Sequence, residues 1–198
     1  MRNGNLIQLC SGRYYQGSGV LSHLGGDAVL LGRRALVVAD AAVWPKVEAR
    51  VLRSLEQSGV DTKVWLFSGH CCPGNVRSAA QAGQAYGAEL VVGVGGGRIM
   101  DQAKATAHFA GDLPIVEVPT SIATCAAFAP LSVMYTAEGA SLGSLRYDHE
   151  VNAIVMDMDV ICKEPPRYAA SGIMDGMAKM IEIQNGRSEI LLDDVSIG

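Results

Sequence analysis

Three consecutive glycines, Gly95-Gly96-Gly97, close the run Val91-Val92-Gly93-Val94 and stand directly before Arg98-Ile99-Met100-Asp101-Gln102-Ala103-Lys104, which has a helical pattern. Glycine lacks a Cβ, so a ligand can approach the main chain there and positive φ is open to it. The first N–H groups of a helix have no intrahelical partner, and the helix dipole favours an anion beside them. The chemistry this spacing suits is phosphate binding, most simply of the pyrophosphate of a dinucleotide. The same pattern also serves as a plain tight connection between strand and helix. It is not Gly-x-Gly-x-x-Gly, because Met100 stands three residues beyond Gly97, and no Gly-Lys-Ser/Thr follows to make a Walker loop.

A second group with chemical potential is Asp40, which ends the apolar run Ala35-Leu36-Val37-Val38-Ala39. A carboxylate at a strand end can accept both hydroxyls of an adenosine ribose, and it can equally cap the next helix. An acid there would repel a 2′-phosphate, which favours NAD over NADP while leaving NADP open. Other reactive residue types read as structural. Asp157-Met158-Asp159 offers two carboxylates, yet adjacent strand positions face opposite sides, so the stretch reads as a strand passing into a loop. Cys71-Cys72-Pro73 lacks C-x-x-C spacing, and His23, His70 and His108 each stand alone. Asp175 lies four residues before Lys179, the spacing of an ordinary ion pair along a helix.

The elements that must position these residues alternate. Strands are predicted over 35–40, 62–67, 89–94 and 113–118, with helices from about Trp44 to Gly59, from Asn75 to Tyr86 and through Gln102 to Ala110. Residues 13–17 read as an edge strand with a glycine turn, and Val151 to Met158 as a further strand. Apolar strands separated by helical stretches are the pattern of βαβ units and a parallel sheet, an α/β fold. The 198 residues, 49% hydrophobic and 18% charged, suit one or two domains with a sizeable core. A net charge of -4 argues against non-specific nucleic-acid binding. No apolar run reaches transmembrane length and no signal-peptide pattern opens the chain, so no membrane partner is expected. Five cysteines in no framework spacing point to a reducing, cytoplasmic setting.

The segment Gly-Gly-Gly-x-x-x-Asp-x-Ala-Lys over 95–104 resembles the cofactor loop of the iron-type alcohol dehydrogenases, specifically the glycerol dehydrogenase branch. Three other stretches carry the same resemblance: Arg13-Tyr14-Tyr15-Gln16-Gly17-Ser18-Gly19, the run from Pro119-Thr120 to Tyr135-Thr136, and Gly172-Ile173-Met174-Asp175-Gly176-Met177-Ala178-Lys179. The resemblance implies a Rossmann-like, dehydroquinate-synthase-like domain that binds NAD through Asp40, Gly95, Gly96, Gly97, Arg98, Asp101 and Thr120, with Leu131 and Tyr135 flanking the nicotinamide. It implies Asp175 as one ligand of a divalent metal, Zn²⁺ or Fe²⁺, whose other ligands are two histidines. The activity implied is oxidation of the CH–OH group of a small alcohol, polyol or 2-hydroxy acid.

Some positions depart from the glycerol dehydrogenase pattern. Ala123 and Ala129 stand where that branch carries Ser, and Cys125 stands where it carries the Asp that touches the polyol. A carboxylate there would repel a substrate bearing its own carboxylate by roughly 4 kcal/mol at ~4 Å and an effective dielectric near ~20. Cys125 removes that repulsion and so points to a 2-oxo/2-hydroxy acid pair, as in the hydroxycarboxylate dehydrogenase branch, while simple packing of the thiol stays open.

The resemblance extends from residue 11 to 183 and spans the N-terminal half of the family's fold. It implies a dinucleotide-binding domain over 1–164 and, over 165–198, the start of an all-helical domain whose remainder, with both histidines, is missing. Gln184-Asn185-Gly186-Arg187 reads as a turn. The 198 residues alone are therefore expected to bind NAD weakly without turnover, and to associate through apolar residues such as Met174, Met177 and Ile181, a homo-oligomer being expected. Two other readings stay open: a non-catalytic nucleotide-binding fragment, and a dehydroquinate-synthase-type lyase, against which Leu131-Ser132-Val133-Met134-Tyr135 stands.

Overall fold

The computed structural model describes residues 12–185 and the backbone of two short strands at 190–192 and 195–197. In chain order the elements are β1 (Arg13–Gly17), α1 (Leu24–Ala28), β2 (Arg34–Asp40), α2 (Trp44–Gln57), β3 (Asp61–Phe67), α3 (Pro73–Tyr86), β4 (Leu90–Gly95) and α4 (Gly97–Phe109). There follow β5 (Ile115–Pro119), the hairpin β6 (Leu131–Tyr135) and β7 (Ser141–Arg146), β8 (Ala153–Asp157), α5 (Met158–Ile161), α6 (Pro166–Asn185), and the antiparallel pair β9 (Ile190–Leu192) and β10 (Val195–Ile197).

Six strands form one sheet in the order β1-β8-β5-β4-β2-β3, every neighbouring pair parallel. This is the parallel α/β architecture expected. The central strands are mostly apolar because helices cover both faces of the sheet, Glu117 on β5 being a buried exception. Alternate residues serve opposite layers. Ala35, Val37 and Ala39 of β2 share a core with Trp44, Val47, Val51 and Leu55 of α2. Leu36 and Val38 pack instead among Ile99, Met100, Ala103 and Ala107 of α4. That second layer is tight: a Cβ on Gly93 would lie 2.7 Å from the Ala103 Cβ, so α4 rests directly on the β4 backbone. From β2 the chain moves outward to β3, then returns to the other side of β2 as β4. The connections leaving β2 and β4 thus diverge and open a crevice beyond the carboxyl ends of these strands, where ligands of open α/β sheets bind.

Most boundaries fall within a residue or two of expectation, and two readings are corrected. Asp157-Met158-Asp159 does not lead into a loop: Asp157 ends β8 and caps α5 by accepting the Asp159 N–H. Its buried carboxylate also accepts the Leu21 N–H at 2.9 Å and the Arg50 guanidinium at 2.5 Å, binding three elements that are distant in sequence. The turn expected at Gln184-Asn185 is instead the last part of α6, while Gly186-Arg187 lie outside the described residues. Over its twenty residues α6 buries none, and Ile173, Met174, Met177, Met180, Ile181 and Ile183 all stand exposed. Among the described residues no helix is long and apolar enough to cross a membrane.

Candidate functional site

A cavity of about 380 Å³ occupies the crevice at the ends of β2 and β4. Its floor is Gly96, Gly97 and Arg98; Asp40, Lys46 and Arg50 form one wall, and Thr120, Ser121 and Thr124 another. Asp159, Lys163 and Glu164 after β8, with Tyr168 at the start of α6, close the rim. Asp40 and Thr120 reach opposite ends because β2 and β5 flank β4 on either side.

The glycine turn does what its residue types allow. Gly96 precedes α4 in an extended conformation and no side chain caps the helix, so its first N–H groups remain open to a ligand. Gly95 accepts the Thr120 N–H through its carbonyl at 2.9 Å, tying the β4 and β5 ends together. A Cβ on Gly97 would stand 2.7 Å from Thr124 Oγ1, so any larger residue would fill the cradle between helix start and wall. Asp40 ends β2 and holds the turn that leads into α2. Its Oδ1 accepts the N–H groups of Ala42 and Val43 at 2.8 and 3.2 Å, while among the described residues Oδ2 has no partner. Arg98 lies on the floor and donates to the Gly69 carbonyl at 3.1 Å.

Behind the turn lies a buried polar group that the spacing of residues did not announce. Lys104 Nζ donates to the carbonyls of Ala126, Ala129 and Leu131 at 2.6, 2.8 and 2.5 Å, and lies 3.4 Å from Asp101 Oδ1. Desolvation raises the Asp101 pKa, with the Lys104 charge and hydrogen bonding pulling it back. Glu117, on the central strand β5, has no exposed surface, and neither carboxyl oxygen has a partner among the described residues. Burial pushes its pKa well above the ordinary carboxylate value, against the pull of Lys104. Cys71 is inert by the same physics, its thiol pushed up to about 12 chiefly by burial.

Of the residues named from the sequence, Asp40, Gly96, Gly97, Arg98 and Thr120 come together around the cavity, with Gly95 immediately beneath. Asp101, Leu131 and Tyr135 do not line it. The Asp101 side chain turns to Lys104 because its position on α4 faces the β6 hairpin, whose Ser132 hydroxyl donates to the Asp101 carbonyl at 2.7 Å. Leu131 meets Lys104 through its carbonyl, and the Tyr135 ring packs beside His70, 5.7 Å between centroids. Cys125 is exposed next to Thr124. Asp175 accepts from Lys179 at 3.2 Å on α6. Sequence reasoning missed Lys46, Arg50, Lys163 and Tyr168; the i,i+4 spacing of Lys46 and Arg50, which places them on one face of α2, was the available signal.

The open helix start, the Gly97 cradle and the free Asp40 oxygen fit a dinucleotide. A metal is another matter. Among the described residues no group of three or more His, Cys, Asp or Glu is placed to hold one, and Asp175 is engaged by Lys179.

The profile of the iron-containing alcohol dehydrogenases matches residues 11–158. The chain belongs to that family. Similar proteins include a glycolaldehyde reductase of Halobacterium salinarum, 33% identical over 169 residues, covering 85% of this chain and 46% of the relative. Hydroxycarboxylate dehydrogenase A of Escherichia coli is 42% identical over 118 residues, 59% of this chain and 32% of the relative. The crystal structure of a probable glycerol dehydrogenase from Sinorhizobium meliloti superposes with a TM-score of 0.80 at 28% identity, covering 88% of this chain and 47% of that one. The chain therefore spans about half the length of the glycolaldehyde reductase and of that crystal structure.

Proposed function

We propose that this chain is the dinucleotide-binding part of an NAD-dependent oxidoreductase acting on the CH–OH group of a small alcohol, polyol or 2-hydroxy acid. The observation that carries the reading is the cavity at the β2/β4 divergence, floored by an uncapped helix start with Asp40 at one end. NAD, when bound, supplies hydride acceptance at the nicotinamide C4. The turn N–H groups around Gly96 and Gly97 hold the pyrophosphate, and Gly95 keeps the turn low. Asp40 Oδ2 accepts the adenosine ribose hydroxyls and disfavours a 2′-phosphate. Thr120 and the segment after it shape the far end, where the nicotinamide lies. Residues 165–198 begin a second unit, a reading supported by a twenty-residue helix, α6, that buries nothing; the antiparallel strands β9 and β10 within that stretch correct the expectation that it is helical throughout. The described residues do not assemble the ligands of a divalent metal. The relatives named above are a glycolaldehyde reductase, a hydroxycarboxylate dehydrogenase and a probable glycerol dehydrogenase; Cys125, standing where the glycerol dehydrogenase branch carries Asp, favours a 2-hydroxy acid among them.

The test is titration of the purified chain with NADH and NADPH. NADH is expected to bind, and NADPH roughly tenfold more weakly, a difference of about 1.4 kcal/mol. Asp40→Asn, which retains a carbonyl oxygen to accept the Ala42 and Val43 N–H groups, should erase that preference. Absence of NADH binding at millimolar concentration would overturn the reading. Alcohol oxidation by the 198-residue chain with added zinc would overturn the claim that a second unit is needed.

A further inference from the structure

Lys104 is only 4% exposed, yet it is neither beside the cavity nor paired across the sheet. A buried ammonium needs all three of its N–H donors satisfied. Here the three strong acceptors are main-chain carbonyls of one short segment, those of Ala126, Ala129 and Leu131. Asp101 alone, at 3.4 Å, would balance the charge; it does not account for three carbonyls turned inward toward one atom. The segment has little regular structure of its own, a single 3-10 turn over Ala126–Phe128. Its other end is part of the site. Ser121, Ala123 and Thr124 line the cavity, and Thr124 Oγ1 accepts the Ala126 N–H at 3.3 Å. Thr124 in turn stands over Gly97, closer than a Cβ there would allow. A continuous set of contacts thus runs from Lys104 to Ala126, to Thr124 and to the glycine turn. Because β5 and β2 lie on opposite sides of β4, the segment covers the end of the cavity away from Asp40.

We propose that Lys104 is a positioning residue: by gathering the carbonyls of Ala126, Ala129 and Leu131 onto one ammonium, it moulds segment 121–131 into the wall that receives the nicotinamide half of the dinucleotide. The proposal rests on the dinucleotide reading above. It assigns Lys104 no contact with the ligand and no chemical step.

The experiment compares ADP, which occupies only the adenosine end, with NADH, by calorimetric titration of the unmodified chain, Lys104→Met and Lys104→Arg. Lys104→Met keeps the buried stem and removes the donors. It should weaken NADH roughly tenfold or more while ADP changes less than about twofold. Lys104→Arg, with donors but a planar fork in place of a tripod, should show the same split at smaller size. Simple loosening of the fold would weaken both ligands alike. Equal losses, no loss for NADH, or NADH binding no tighter than ADP in the unmodified chain would each overturn the proposal. Should Lys104→Met fail to fold, Lys104→Arg decides by the same criterion, read with amide hydrogen exchange. Faster exchange confined to 121–131 supports the proposal, and unchanged exchange there overturns it. Failure of the unmodified chain to bind either ligand would instead remove the dinucleotide reading on which the proposal stands.

Discussion

Two Asp–Lys pairs sit on two helices of this chain, one helical turn apart in each case, and they share little beyond composition. Asp101 and Lys104 on α4 are both nearly sealed from water, and Lys104 is held by three carbonyls besides. Asp175 and Lys179 on α6 lie 3.2 Å apart with side chains 35% and 48% exposed. There the Lys179 pKa rises chiefly through its hydrogen bond to Asp175. Spacing within a helix decides whether two side chains can meet. What the helix is packed against decides whether the meeting carries weight. In water an ion pair replaces hydration it already had, whereas in the interior each unmet donor or acceptor costs its full desolvation.

The largest expected effect tests that contrast directly. Lys104→Met should destabilise the chain by about 3–5 kcal/mol in urea unfolding, because Asp101 is left buried without its counter-charge and the carbonyls of Ala126, Ala129 and Leu131 lose a buried charged donor. Lys179→Met should change stability by no more than about 0.5 kcal/mol. Equal effects would break the comparison.

Two glycines sharpen it at an intermediate scale. Gly93 and Gly97 are crowded alike, a Cβ meeting Ala103 or Thr124 at 2.7 Å, but Gly93 lies under α4 and Gly97 faces the cavity. Gly93→Ala should cost about 1–3 kcal/mol by overpacking, with ligand affinity of the folded fraction unchanged. Gly97→Ala should weaken NADH roughly tenfold or more at a smaller cost in stability. Thermal melts and calorimetry on both variants separate these roles, and a reversal would place the glycine turn outside the site.

The smallest effect concerns Glu117, buried like Lys104 but without a hydrogen-bond partner among the described residues. Lys104 and Asp101 on α4 are the charges that bear on it, and burial raises its pKa above that of the unfolded chain. Between those two values the unfolded state binds fewer protons, so this group's contribution to stability declines as pH rises through the window. Glu117→Gln removes that decline. The variant should gain in melting temperature over the unmodified chain at about pH 8, and the gain should shrink toward about pH 5. A difference independent of pH would mean Glu117 does not ionise with the expected shift.

Much of the fold was legible because it rests on local pattern. β-branched runs of strand length, helical stretches between them and glycines at their junctions mark βαβ units whatever surrounds them. The glycine turn and Asp40 were legible for the same reason, since a strand end followed by a helix start is a local event. Asp157 was misread because its partners, Leu21 and Arg50, are more than a hundred residues away in the chain. Asp101, Leu131 and Tyr135 were assigned to the cofactor by resemblance alone, and their contacts with Lys104 and His70 depend on how the hairpin packs against α4, which local spacing does not encode.

By itself, then, the amino-acid order determined which segments become strands and helices, and that residues 95–98 join a strand end to a helix start through a glycine turn, because both follow from periodicity and from the absence of side chains. Only the tertiary structure decided that β4 returns beside β2 to open the crevice, that Lys46, Arg50 and Lys163 reach it, and that one lysine is a buried clamp while another is a solvated partner. Strand order and burial depend on which distant surfaces meet, and no local spacing encodes the dielectric in which a charge will finally sit.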